Sequence, residues 1–219
     1  MNVWPGETDH TPSDRGSDSM EGQPQALPRW GSFAGDLDKY YKIDLGDTRP
    51  GPWKKVHFWA NSFGLHCVAA YRFGQFASRL HHRSVLLGFI PKVLHTGIDY
   101  FVRMVHHVEI RADTIGPGFY IGHVGSIYIG GTTIGRNFSV THNVTVGLGH
   151  SQGRKGHPTI GDNVWIGTGS TVAGAISVGN NVTIAPGTPL SRSVPDGCLV
   201  GGNPGRVLAQ NYDNLKLFP

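Results

Sequence analysis

The chain has 219 residues, 38% of them hydrophobic, with 19 Lys and Arg against 15 Asp and Glu and a formal net charge of +4. That length supports one good core, or one core with a small helical appendage, and so mild a cationic excess without a Lys/Arg run points away from nucleic acid and toward an anionic small ligand. The 32 glycines, with no collagen period and no low-complexity block, require a backbone that turns at regular intervals.

Residues 1–31 are rich in Pro, Gly, Ser and charge and nearly free of aliphatic residues, so they read as a disordered tail. From 32 to 107 the pattern is helical: Phe58, Phe63, Val68, Tyr71, Phe76 and Leu80 recur at spacings that fit one helix face. The stretch TRPGP at 48–52 and Pro91 are expected to break this region into several short helices. The apolar stretch SVLLGFIPKVLHTGIDYFV is interrupted by Pro91, Lys92, His95 and Asp99, which argues against a transmembrane segment. No signal-peptide pattern opens the chain. Cys67 and Cys198 are far apart and lack metal-ligand spacing. A reducing, cytoplasmic location is expected.

After Val108 the character changes. Ile160, Ile166, Val172, Val178, Ile184 and Leu190 stand six residues apart, and Ile115, Ile121 and Ile127, then after a one-residue slip Ile134, Val140 and Val146, repeat the same period. Hexapeptide periods of this kind predict a parallel β-helix, each hexapeptide being one short strand and a turn with its aliphatic residue in the core. Twelve hexapeptides make about four triangular coils, over residues 108–208, in a mainly β fold preceded by the helical region. Gly and Asn after the aliphatic position supply the tight corners. The segment GLGHSQGRKGHP at 147–158 leaves the repeat as a loop, the kind of projection from a rigid scaffold that carries chemistry. Residues 209–219 are expected to form a C-terminal tail.

From about Asp36 to Arg206 the chain resembles the serine O-acetyltransferases and related hexapeptide-repeat enzymes, including exopolysaccharide O-acetyltransferases. Three motifs carry the resemblance: IGHVGSIYIG at 121–130, KGHPTIG at 155–161 after a loop beginning VTVGLG, and GDLDKYYKID followed by HCVAAYRFG upstream. The resemblance implies a left-handed β-helix, a homotrimer whose clefts lie between protomers, and acetyl-CoA as co-substrate with no metal. A pairing of two trimers through the helical region is left open.

His123 and His157 fall on the family's two active-site histidines, and Asp44 falls on a substrate-binding aspartate. The resemblance makes His123 the general base that takes the acceptor's hydroxyl proton, a role worth about 10²- to 10⁴-fold, and His157 the group that stabilises the oxyanion or the departing thiolate. Glu109, fourteen residues before His123, takes the place of an aspartate that orients the ring, with a surface salt bridge as the competing explanation. Gly147, Gly149, Thr168 and Gly169 match positions that line the CoA groove, where small residues admit pantetheine. Lys155 and Arg206 are candidates for its phosphates.

Two positions depart from the family. Gly122 and Gly156 stand where an aspartate and an arginine precede the two histidines in serine acetyltransferases, and a charged hydrogen bond lost at each is worth ~1.5 to 3 kcal/mol. A polysaccharide or sugar hydroxyl is therefore the expected acceptor, with L-serine as the alternative. A non-catalytic β-helix scaffold, a nucleotide-sugar N-acetyltransferase and a zinc enzyme using His142, His150 and His157 are rival readings, the last lacking the close histidine pair that such a site needs.

Overall fold

The computed structural model describes residues 31–47, 49–151 and 153–214. Four helices come first: α1 (Gly31–Leu45), α2 (Pro52–Asn61), α3 (Phe63–Arg83) and α4 (Val85–His106). The expected tail over 1–31 lies outside the described residues except for Gly31, which opens α1. Pro52 sits at the start of α2, where a missing N–H costs nothing. Pro91 lies inside α4 and does not divide it. The break falls at Ser84, whose Oγ accepts from the Leu87 amide at 3.4 Å.

The rest is a solenoid. Its first coil is β1 (Val108–Ile110), β2 (Thr114–Ile115) and β3 (Tyr120–Ile121), and its second is β4 (Ile127–Ile129), β5 (Thr133–Ile134) and β6 (Ser139–Val140). The third starts with β7 (Thr145–Gly147), is interrupted by β8 (Gly149–Ser151) and β9 (Arg154–Gly156), and resumes as β10 (Thr159–Ile160) and β11 (Trp165–Ile166). β12 (Thr171–Ala173), β13 (Ser177–Val178) and β14 (Thr183–Ile184) form the fourth. β15 (Pro189–Leu190) and β16 (Leu199–Gly201) form the fifth, and β17 (Arg206–Ala209) folds back antiparallel on β16. Three parallel faces result: A (β1-β4-β7-β12-β15), B (β2-β5-β10-β13) and C (β3-β6-β11-β14-β16). The parallel β-helix is as expected, with about five turns instead of four. The outermost strands escape a six-residue count because Val108 precedes Ile115 by seven residues and Val194 follows Leu190 by four.

Each face stacks its aliphatic residues in register. Ile121, Val140, Ile166, Ile184 and Val200 form one ladder on face C, and Phe119, Phe138, Val164 and Val182, two residues earlier, fill a second buried row. On face A the register partner of Val146 is Ile129, not Ile127. The corner between Ile121 and Ile129 is thus eight residues long and the next, to Ile134, is five. The long corner, with Gly125 and Ser126 at positive φ, contains His123. Between faces B and C, Asn137, Asn163 and Asn181 take left-handed backbones (φ 54° to 57°). Their side chains form a ladder, with Asn137 donating to Asn163 and Asn163 to Asn181 at 2.9 Å each. Asparagine tolerates this conformation and satisfies its own amide one coil away.

The open edge of the first coil is closed by helical side chains. Arg72 forms a bidentate pair with Asp36 (2.8 and 3.0 Å) and donates to the carbonyls of Ile115 and Gly116 at 2.7 Å each, while Asp36 accepts from the Phe119 amide at 2.7 Å. Lys39 donates to the carbonyls of Gly118, Asn137 and Phe138 and to Ser139 Oγ, and burial pulls its ammonium down to about 7. The Tyr40 hydroxyl accepts from the Ile121 amide at 2.9 Å. At the other end the segment expected to be a tail is docked through Ala209 in β17, Tyr212 donating to Gly197 and Asn214 donating to Asn163. Residues 215–219 lie outside the described residues.

Replacing Arg72 by alanine leaves Asp36 buried without a counter-charge and two carbonyls uncapped. The expected loss is about 3 to 5 kcal/mol, read as a lowered midpoint in chemical denaturation. An unchanged midpoint would show that the cap contributes nothing to stability.

Candidate active site

Two columns of the expected residues run down the solenoid. The first follows the corner between faces C and A. His123 is exposed there, and its ring meets that of His142, one coil on, edge to face at 5.9 Å between centroids. The carbonyl of His142 accepts from Thr168 Oγ1 at 2.8 Å and from the Gly169 amide at 3.4 Å. Further down, the Gly205 amide donates to the Pro189 carbonyl at 3.0 Å, and the exposed Arg206 opens β17.

Asp44 reaches this corner from the last turn of α1. Its Oδ1 accepts from the Tyr120 hydroxyl at 2.8 Å, and the Tyr120 ring packs against Tyr40 at 4.6 Å. Partial burial pushes the Asp44 carboxyl up, opposed by the Tyr120 hydrogen bond and by the charge of His123 nearby. Tyr120 is pushed up in turn by burial and then by Asp44. The same tyrosine bears on Gly122. A Cβ there would stand 3.4 Å from Tyr120 Cε1, in van der Waals contact with the ring.

The second column follows the corner between faces A and B. The expected loop is a hairpin, β8 against β9, with Gly149 opposite Gly156 and His150 opposite Lys155. It folds onto the next coil: a Cβ on Gly156 would lie 2.9 Å from Ala175 Cβ, closer than real side chains approach. His157 is exposed at its foot, with its ring over Gly130 and Gly131. Gly147 lies under the ring of Tyr128, which is 42% exposed on the outer surface of face A. Lys155 is exposed on the hairpin.

The fold thus brings His123, Asp44, Thr168, Gly169 and Arg206 to one edge of face A, and His157, Gly147, Gly149 and Lys155 to the other. No hydrogen bond or ring contact joins the two histidines within one chain. Glu109 is a correction to the expected ring-orienting contact. It lies on β1 with Arg111 two residues further along the strand, so both side chains leave the same side, and its Oε1 accepts from Arg111 Nε at 3.0 Å. In this chain it is the surface salt bridge that forms, and His123 has no bond to Glu109. Sequence reasoning also missed Tyr120 as the partner of Asp44 and His142 as the neighbour of His123. The second had a signal: it follows His123 by nineteen residues, the same interval that separates Ile121 from Val140. Among the described residues no group of three His, Cys, Asp or Glu side chains is arranged to hold a metal, and both cysteines are free and buried.

An exposed imidazole beside a carboxylate is suited to proton transfer, and a hairpin with basic side chains to holding an anion. Comparison with known proteins bears on the family. Residues 157–188 match the family described as bacterial transferase hexapeptide (six repeats). The serine acetyltransferase of Bacillus pumilus is 37% identical over 155 residues, covering 70% of this chain and 67% of that protein. The serine acetyltransferase of Helicobacter pylori is 32% identical over 151 residues, 68% of this chain and 82% of that one. Among solved structures, the Neisseria gonorrhoeae serine acetyltransferase in complex with serine superposes with a TM-score of 0.60 at 26% identity, over 81% of this chain and 68% of that one. The Brucella abortus enzyme in complex with coenzyme A has the same fold, with a TM-score of 0.57 at 23% identity over 82% of this chain and 67% of that one. A chain with this solenoid and with relatives matched over two thirds or more of their length belongs to the serine acetyltransferase family of hexapeptide-repeat acyltransferases.

Proposed function

We propose that the chain transfers acetyl from acetyl-CoA to the hydroxyl of L-serine. The observation that carries this reading is the grouping at one corner of an exposed imidazole, His123, and a carboxylate, Asp44, that is held by the Tyr120 hydroxyl. Neutral His123 takes the proton from the serine hydroxyl as its oxygen attacks the thioester carbonyl. The tetrahedral intermediate then collapses, breaking the carbon–sulfur bond, and the proton on His123 passes to the departing thiolate. Asp44 acts twice here, attracting the substrate's ammonium and favouring the imidazolium that forms beside it. It takes over the electrostatic part of the role expected of Glu109, which Arg111 engages.

His157 stands at the opposite edge of face A, so it joins this chemistry from a neighbouring protomer in a homotrimer, where it stabilises the oxyanion. Pantetheine lies along the small residues Gly147, Gly149, Thr168 and Gly169 between two protomers, with Lys155 and Arg206 near its phosphates. The relatives are named as serine acetyltransferases, and none of them lends support to the expected polysaccharide acceptor. A sugar hydroxyl remains the second reading for one reason. Gly122 and Gly156 bear no charged side chain, and at Gly156 the neighbour Ala175 crowds the space into which one would extend.

Acceptor profiling with free CoA as the readout tests the assignment: turnover with L-serine supports it, and turnover with glycans alone overturns it. His123→Ala is expected to lower kcat at least ~10²-fold with acetyl-CoA affinity little changed, and unaltered turnover would remove His123 from the mechanism. Asp44→Asn is expected to raise KM for serine by about tenfold or more, since a charged hydrogen bond is lost, while leaving KM for acetyl-CoA unchanged. Light scattering is expected to return the mass of three chains or a multiple of it. A fully active monomer would rule out the shared cleft.

A further inference from the structure

Helix α4 has its polarity inverted. Leu86, Ile90, Val93, Leu94, Phe101 and Met104 fall within one arc of the helix, and each exposes more than half of its surface. The polar residues face the other way. Lys92 donates to Ser78 on α3 at 3.0 Å, and Asp99 meets Arg103 at 3.2 Å and Arg111 at 4.0 Å. His95 packs over Gly74 of α3. The helix has 22 residues and a mean hydropathy of 1.3 over its most apolar window, long and apolar enough to cross a membrane, yet only 11% of that window is buried. α2, none of whose residues is buried, exposes Trp53 (85% exposed) and Val56 beside Lys54 and Lys55. The ends of the two helices are linked through Phe63, which packs on Trp59's neighbour His66 and on His106.

Charge selects the occupant of this face. Between Arg49 and His107 there are eight Lys and Arg and a single carboxylate, Asp99, which is already paired with Arg103 and Arg111. Arg72 is buried against Asp36, and Lys92 and Arg103 lie on the other side of α4, which leaves Arg49, Lys54, Lys55, Arg79 and Arg83 exposed and without a carboxylate among them. A second copy docked by a two-fold axis would bring cations against cations with no carboxylate to meet them. An anionic lipid surface accepts both features, the apolar stripe at the acyl boundary and the lysines and arginines at the phosphates. Spanning the bilayer is excluded by Lys92, His95, Asp99 and Arg103, which would enter hydrocarbon.

We propose that α4, with α2, docks this protein in the plane of an anionic membrane surface. The experiment is co-sedimentation of the full chain with vesicles of phosphatidylcholine alone and of phosphatidylcholine mixed with phosphatidylglycerol. Binding to the anionic vesicles, weakened by added salt, is the expected result. Ile90→Glu with Phe101→Glu should abolish it, and Lys54→Glu with Lys55→Glu should lower it about tenfold or more. Wild-type protein that stays in the supernatant with anionic vesicles overturns the proposal. So does a wild-type assembly larger than a trimer that the Ile90→Glu, Phe101→Glu variant splits in light scattering while no vesicle binding is seen, since a second copy then covers the face. If that variant loses its helical circular dichroism, the wild-type and lysine-variant measurements decide the matter. None of these residues belongs to the proposed active site, so acetyl transfer in solution is expected to persist whichever way the vesicle experiment turns out.

Discussion

A solenoid has an end, and the first coil here exposes backbone amides and carbonyls with no preceding coil to receive them. Left bare against apolar side chains such as Phe119, each would forfeit a hydrogen bond. The chain meets this with charge: Arg72 and Asp36, both buried, satisfy each other and then Ile115, Gly116 and the Phe119 amide. Lys39 spans two coils by reaching Gly118 on the first and Ser139 on the second. A buried ion pair is expensive in isolation, and it is tolerable here because both partners also bond the backbone, Arg72 through two carbonyls and Asp36 through an amide.

The cap also builds the site. Asp36, Tyr40 and Asp44 are spaced by four residues along α1, so they lie on one face of the helix. Asp36 caps the Phe119 amide, Tyr40 binds the Ile121 backbone, and Asp44 continues in the same line to Tyr120. The position of the carboxylate near His123 is therefore fixed by groups whose primary work is structural. Stability and function are coupled through this helix: loosening the cap moves Asp44.

How far the sequence foretold all this depends on how local each feature is. The aliphatic ladder was legible because each hexapeptide must bury one residue, whatever its neighbours do. The second buried row, Phe119 to Val182, stood in the same repeats two positions earlier and follows from strand alternation. The eight-residue corner at His123 was hidden, because Ile127 keeps the six-residue count while Ile129 carries the register. His123 and His157 are proposed as site residues from motif context alone. Tyr120 was not legible, because its bond to Asp44 exists only after α1 has docked. The separation of α3 from α4 at Ser84 instead of at Pro91 has a similar origin. The antiparallel pair packs closely enough that a Cβ on Gly88 would strike His81, and that packing holds the helix through a proline that propensity alone would use to end it.

Averages concealed the division of labour between the two halves. A net charge of +4 over 219 residues hides an uneven distribution, since the segment from Arg49 to His107 holds eight of the 19 Lys and Arg and one of the 15 acidic residues. The acidic balance lies mostly before Arg49, including Asp36 and Asp44 on the helix that caps the solenoid. Apolar surface is segregated in the same way. The solenoid turns its aliphatic residues inward and leaves few large ones exposed, whereas α4 turns them outward. Hydropathy alone cannot distinguish a core helix from an inverted one, because both have the same composition. What separates them is which face meets α3, and on α4 that face carries Lys92, His95 and Asp99. The polar residues that seemed to interrupt an apolar segment instead mark the side by which it is attached to the protein.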